Sequence, residues 1–352
     1  MLSSLPKSLI CLEVCAGAGG QALGLEQAGF DHCGLVEIDK WACETLRRNR
    51  PDWPVYGPPL QGDPEPGHEG DLRSFDPSPF RPRRGFRVDL LSGGVPCPPF
   101  SVAGKQLGAD DERDLFPAML DLLPVVKPRA VMIENVPGLA QASFEAYRAD
   151  ILDQLRGLGY HAAGWRIVQA SDFGVPQLRP RFVLLAFANE AAMRRFKWPA
   201  PSPDPAPTVG EALLPLMHEW PGATKWARER ATRIAPTLVG GSKKHGGPDL
   251  GPTRAKKQWA DLGVNGHLIA NAPPTDDLPT NATPHLTVEM AAVIQGFPVS
   301  GWPFAGPKTH AYRQVGNAFP PPVARALGGA IAKCLRPSSH AEPRAPLASA
   351  RV

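Results

Sequence analysis

The chain has 352 residues, 43% apolar and 20% charged, which suits about two domains with a substantial core. Proline (42) and glycine (35) are abundant but short of low-complexity levels, so long ordered loops are expected. A net charge of +4 excludes a uniformly basic protein, and no apolar run approaches the ~20 residues of a membrane span. The first residues run straight into a strand-like stretch, which speaks against a secretory leader. The six cysteines form no CxxC pair and no disulfide scaffold, so a cytoplasmic location is expected.

Residues 8–190 alternate strand-like and helix-like stretches. SLICLEV (8–14) is a short apolar run that ends in the glycine-rich turn AGAGG (16–20), and the helical stretch QALGLEQAG follows. HCGLVEID (32–39) predicts a strand and residues 40–50 a helix, before a proline- and glycine-loaded excursion from 51 to 70. RVDLLSGG (87–94) predicts a buried strand, and LFPAMLDLLPVV (115–126) a helix despite two prolines. RAVMIENV (129–136) predicts a strand and residues 144–159 a helix; GWRIVQA and RFVLLAFA then make a closing pair of strands. This alternation predicts an α/β fold: an open, doubly wound, Rossmann-like and mostly parallel sheet with helices on both faces.

The pattern breaks at Pro199, where proline recurs at every second position to Pro207, the mark of a stiff extended linker. Periodicity is weak from 208 to 272, and a second proline-rich stretch spans 272–284. Residues 286–298 and 321–335 again read as helices. The sequence therefore predicts a main domain over 1–198, a smaller inserted unit over 199–284, a return to the main domain over 285–335 and a disordered tail over 336–352.

Glycines in the turn after the first strand let a ligand approach the backbone closely. Glu37, 17 residues after Gly20, ends the second predicted strand, placed to accept hydrogen bonds from ribose hydroxyls. Asp71 offers a third acidic group. Gly17, Gly19 and Ala22 also satisfy the dinucleotide fingerprint, so the turn alone leaves a nicotinamide or flavin enzyme open. Cys11 and Cys15, on an apolar strand, read as packing residues.

The segment Gly94-Val95-Pro96-Cys97-Pro98 places a thiol directly after an apolar strand, at the sheet edge where ligands bind. A reactive thiol needs a positive or hydrogen-bond-donating neighbourhood, which Arg179 and Arg181 can supply. Glu134 and Asn135 end the next predicted strand, and Gln177-Leu178-Arg179-Pro180-Arg181 enters the strand after that. A thiol, a carboxyl group and forked donors on neighbouring strand ends suit attack on an electron-poor ring held by its polar edge.

At these residues the chain resembles the DNA (cytosine-5) methyltransferases, of bacterial restriction-modification type because nothing precedes the catalytic motifs. The resemblance rests on ordered motifs: AGAGG, Glu37, Asp71, Pro96-Cys97 with the loop 101–108, Glu134-Asn135-Val136, Gln177-x-Arg179-x-Arg181, residues 286–298, and Gln314-Val-Gly-Asn317 with its following residues. It implies an S-adenosylmethionine-dependent methyltransferase fold with an inserted target-recognition domain. The implied catalytic residues are Cys97, Glu134, Arg179 and Arg181, with Arg181 on the cytosine O2 and Arg179 supporting the pocket. S-adenosylmethionine would lie against Cys15, Ala16, Gly17, Gly19, Gly20, Glu37, Ile38, Asp71, Leu72, Pro96 and Asn317; no metal is implied.

The implied partner is double-stranded DNA, touched by Ser101, Lys105, Gln106, Lys243 and Lys244, with a cognate restriction endonuclease acting separately and the chain itself monomeric. Nine Lys/Arg against two acids from Lys225 to Lys257 support a polyanion-facing insert. The chain departs from the family at Glu13-Val14-Cys15, where Asp-Leu-Phe is usual, at Pro98 in place of Gln, and at Phe319 in place of Val. A tRNA methyltransferase and an inactive DNA-binding relative are the competing readings.

Overall fold

The computed structural model describes residues 8–62, 70–96, 114–240 and 248–336. The chain runs through β1 (Leu9–Val14), α1 (Gly20–Gln27), β2 (Phe30–Val36), α2 (Lys40–Asn49), β3 (Val55–Tyr56), β4 (Leu90–Gly93), α3 (Phe116–Leu120) and α4 (Leu123–Val126). Next come β5 (Ala130–Asn135), α5 (Glu145–Gly157), β6 (His161–Gln169), β7 (Pro180–Phe187) and α6 (Glu190–Arg195). The strands form one sheet in the order β3-β2-β1-β4-β5-β7-β6. Strands β1 to β5 pair with one another in parallel, whereas β7 runs antiparallel to both β5 and β6. The fold is α/β, as the alternation predicted.

Two faces of the sheet carry two cores. Cys11, Leu90, Met132, Val183 and Leu185 face α1 and the last helix, while Leu12, Val14, Leu91, Val131, Ile133 and Leu184 face α3 to α5. Both sets are buried, the strand pattern expected of a doubly covered sheet. The predicted helix 115–126 is two short helices. Pro124 has no N–H and its ring clashes with the carbonyl four residues back, at Leu120, where α3 ends. Strand β3, with two residues, was hidden among prolines and was not predicted.

The weakly periodic insert contains α7 (Val209–Leu213), α8 (Ala223–Glu229) and α9 (Thr253–Ala260); the chain then returns through α10 (Val288–Ile294), α11 (Lys308–Asn317) and α12 (Pro321–Leu335). Thr208 starts α7 with a capping box to Glu211, and Thr287 caps α10 through Met290 N. Trp220, Trp226 and Trp259 of the insert share one core with Met290 and Tyr312 of α10 and α11. The insert is thus packed directly onto the helices that return the chain to the sheet. Residues 337–352 lie outside the described residues.

Candidate active site

The carboxyl ends of β1, β2, β4 and β5 border a cleft of ≈ 750 Å³ whose far wall is α11. Ten of the predicted cofactor residues line it: Cys15, Ala16, Gly17, Gly20, Glu37, Ile38, Asp71, Leu72, Pro96 and Asn317. Gly19 does not. Its φ is +85°, and a Cβ there would lie 2.7 Å from both Leu46 and Trp302, so it is required by packing behind the turn. Gly17, at φ +56°, has no atom of the described residues beyond its chain neighbours within 4 Å of where a Cβ would be, which leaves room for a ligand to approach its backbone. A Cβ on Gly20 would collide with the carbonyl oxygen of Phe319. The returning chain braces the same turn, because Trp302 Nε1 donates to the carbonyl of Ala18 at 3.0 Å.

Glu37 is held from two sides. Its Oε2 accepts from Gly17 N at 2.6 Å and its Oε1 from Asp39 N at 2.8 Å, leaving further lone pairs facing the cleft. Burial raises its carboxyl above the ordinary value, against the pull of those two N–H groups. Asp39 in turn caps α2 through Trp41 N and Ala42 N. Ile38 between them is 60% exposed, an apolar platform beside a polar ribose-type site. Asp71 forms a forked pair with Arg73, which holds its carboxyl below the usual range. Cys15 and Phe319, both departures from the family pattern, line the cleft.

At the opposite end of the cleft, Arg181 Nε lies 2.8 Å from Glu134 Oε1. Glu134 lines the cleft from the end of β5, and burial raises its carboxyl while Arg181 and Arg179 pull it down. Asn135 Nδ2 donates to Val95 O at 2.9 Å, so the end of β5 fixes the run from Gly94 to Pro96. Cys97, Ser101, Lys105, Gln106, Lys243 and Lys244 lie outside the described residues, as do Pro98 and the loop 101–108.

Arg179 is 1% exposed and does not line the cleft. Its Nη1 donates to Leu238 O at 2.8 Å, and its Nη2 to Gly316 O at 2.6 Å and Ala318 O at 3.1 Å. Gln177 completes this hub by accepting from Leu238 N and donating to Ile294 O and Gln295 Oε1. Gln295 itself donates to Ala318 O. The motif therefore divides by role: Gln177 and Arg179 tie the insert to α10 and α11, and Arg181, itself buried and outside the cleft lining, pairs with the cleft-lining Glu134.

Sequence reasoning gave no individual role to Gln295, or to His310 and Arg313 on the cleft face of α11, where they stand with Gln314 and Asn317. The one signal for that helix was the Gln-Val-Gly-Asn motif at its end. Beneath the glycine turn, Cys11, Glu13 and His32 bring a thiol, a carboxyl and an imidazole within 4.8 Å of one another, all buried. Burial raises the first two well above their ordinary values and pulls His32 down to about 4. His32 Nε2 faces the Ala22 carbonyl and Cys11 Sγ faces Ser92 Oγ, and burial favours the protonated thiol and carboxyl, whereas a metal takes both deprotonated.

Comparison with known proteins follows the same lines. The family described as C-5 cytosine-specific DNA methylase matches residues 9–333. The chain is 53% identical over 341 residues to the type II methyltransferase M.NaeI of Lentzea aerocolonigenes, covering 96% of this chain and 78% of that one. It is 48% identical over 334 residues to the type II methyltransferase M.NgoMIV of Neisseria gonorrhoeae, covering 92% and 97%. Among solved structures, the Entamoeba histolytica methyltransferase EhMeth aligns with a TM-score of 0.62 at 16% identity over 94% of this chain and 100% of that one. The S. pombe Dnmt2 methyltransferase aligns with a TM-score of 0.59 at 18% identity over 93% and 99%. These last two likenesses show the fold alone. The chain belongs to the family of C-5 cytosine-specific DNA methylases, enzymes that transfer a methyl group to DNA.

Proposed function

We propose that the protein transfers a methyl group from S-adenosylmethionine to C5 of cytosine within a specific double-stranded DNA sequence. The observation that carries this reading is the buried Glu134–Arg181 pair at one end of a cleft whose other end is the Gly17–Glu37 cradle. A cleft with an acid–guanidinium edge at one end and a ribose-type site at the other suits a base and a nucleoside cofactor meeting between them. Glu37 and the open face of Gly17 would hold the ribose, Ile38 the adenine face, and Asn317 the amino-acid end. When bound, the cofactor supplies an electrophilic methyl group.

The ring must be made nucleophilic first. The Cys97 thiolate adds to C6, and Glu134 holds a proton at N3, so charge pushed into the ring is neutralised as it develops. Acid assistance of this kind is worth about 10² to 10⁴ in rate, roughly 3 to 5 kcal/mol. Arg181 orients O2. After C5 has gained the methyl group, a base removes the C5 proton, the C5–C6 double bond reforms and Cys97 is expelled. The target carbon is inaccessible in a duplex, so the cytosine rotates out at a cost of a few kcal/mol.

Residues 199–284 act as the target-recognition domain in this reading. Lys225 and Lys256 of the basic stretch pair with Glu229 and Asp249, while Arg228, Arg254 and Lys257 remain exposed. Similarity to type II methyltransferases supports a role beside a separately acting endonuclease, in a monomeric cytoplasmic enzyme. Expression in a methylation-free host followed by 5-methylcytosine mapping tests the function. One enriched DNA motif, lost in Cys97→Ala, is expected; unmodified DNA with labelled tRNA would instead establish the RNA reading. A 5-fluorocytosine duplex bearing the mapped site should become trapped on the chain, and its failure to do so would defeat thiol addition.

A further inference from the structure

Large apolar side chains exposed singly are ordinary on protein surfaces. Leu178 and Val239 are not ordinary in their placement. Leu178 is 47% exposed between Gln177 and Arg179, which are 0% and 1% exposed. Val239 is 41% exposed between buried Leu238 and buried Gly240. Each therefore stands out from a backbone tied to the Arg179 hub, through the side chains of Gln177 and Arg179 around Leu178 and through the main chain of Leu238 before Val239.

The two lie on one paired strap. Gln177 and Ala235 form a parallel bridge, Leu178 N donates to Ala235 O at 2.7 Å, and Thr237 Oγ1 donates to Leu178 O at 2.6 Å. Leu238 is fixed by both Arg179 and Gln177. Past Val239, the backbone of Gly240 presses on Gly316 so closely that a Cβ on Gly240 would collide with Asn317 Oδ1. The strap is thus pinned to the cofactor wall at one end. At the other it enters β7, three residues before Arg181 and its partner Glu134. Such fixed backbones keep Leu178 and Val239 from withdrawing into a core.

We infer that Leu178 and Val239 form an apolar rim that contacts the DNA beside the target cytosine and favours the rotated-out base. The inference rests on the DNA-methylating reading above, and it goes beyond it by naming residues that no motif assigns. Apolar wedges are the chemistry by which proteins replace lost base stacking. A polar side chain at either position would serve phosphate contact as well; an apolar one serves only a sugar or base face. Leu178 stands three residues before Arg181, and Val239 stands next to Gly240, which packs on Asn317 of the cleft wall; this placement commits the rim to the strand that carries the target, rather than to a second protein.

The test compares two synthetic duplexes bearing the mapped site, one with the target cytosine opposite guanine and one with it opposite an abasic position, where unstacking is cheap. Leu178→Ala, Val239→Ala and the double variant should lose about tenfold or more in kcat/KM on the paired duplex. On the abasic duplex they should return to within about twofold of the unaltered enzyme. Leu178→Met should retain activity on both. Equal losses on the two duplexes, or no loss on either, would overturn the inference. If the unaltered enzyme methylates neither duplex, the functional reading itself falls, and the rim with it.

Discussion

Arg181 Nε and Glu134 Oε1 stand 2.8 Å apart on adjacent antiparallel strands, with 10% and 13% of their side chains exposed. A carboxyl this buried favours its proton, and the guanidinium opposes that preference without abolishing it. The group is thereby poised to hold a proton against a ring nitrogen. Glu134→Gln keeps an acceptor oxygen for Arg181, so the fold should persist while the single-turnover methylation rate falls by about 10² to 10⁴.

Removing the other partner has a different signature. Arg181→Ala leaves a buried carboxyl alone, at a cost of about 3 to 5 kcal/mol when it is ionised. The carboxyl's folded-state value, already raised, rises further. A raised acid stabilises the fold below its unfolded value and loses that contribution as pH climbs through the folded value. Urea unfolding of Arg181→Ala should therefore show its largest deficit near neutral pH and a smaller one in acid. A deficit independent of pH would mean that Glu134 is not the group left behind.

Arg179 should behave as a structural tie. Arg179→Ala orphans the carbonyls of Leu238 and Gly316, each costing about 1 to 3 kcal/mol, and leaves Ala318 O with Gln295 as its donor. A stability loss of about 3 kcal/mol or more is expected in urea unfolding. Arg179→Lys should recover only part of it, because one ammonium cannot reproduce the fork that spans the insert and α11. Full recovery with lysine would show that charge, not geometry, matters there.

The sheet was legible because its strands are apolar runs closed by glycine, proline or acid signals, and because β1 and β4 run directly into the glycine turn and the Gly94–Pro96 segment while β5 ends on Glu134 and Asn135. The cleft was legible for the same reason, since Gly17, Glu37 and Glu134 sit at strand ends. What escaped was set by distant contacts. Gly19 is a glycine for the sake of Leu46 and Trp302, far along the chain from the turn it caps. Arg179 and Arg181 look alike in sequence, yet Arg179 stands just before β7, where carbonyls of the insert and α11 surround it, and Arg181 stands within β7 beside Glu134 of β5. The insert's helices are too short for periodicity to reveal; tryptophans packed against α10 and α11 hold them.

The glycine turn offers a contrast between two adjacent reasons for glycine. Gly17→Ala should cost only the left-handed backbone penalty, about 1 to 2 kcal/mol, while its methyl group intrudes on the cleft. Gly19→Ala carries the same penalty and drives a methyl group into Leu46 and Trp302. Thermal unfolding should rank Gly19→Ala well below Gly17→Ala. Titration with S-adenosylhomocysteine should show weakened binding in Gly17→Ala even where the fold is intact.

Glu37 links cofactor affinity to pH. Its carboxylate accepts two backbone N–H groups, and in the proposed cofactor site it would also accept from ribose hydroxyls, so the ionised form would be the one that binds. Burial raises its value, so protonation begins at a higher pH than for a free glutamate. Affinity for S-adenosylhomocysteine should be full above that raised value and fall as pH drops through it. Glu37→Gln loses the charge and turns an amide N–H toward a backbone donor, which should weaken binding about 10- to 100-fold, the equivalent of roughly 1.5 to 3 kcal/mol. It should also flatten the acid limb of the titration. An acid limb that survives in Glu37→Gln would assign the titrating group to another carboxyl of the cleft, with Glu13, which burial also raises, the first to test.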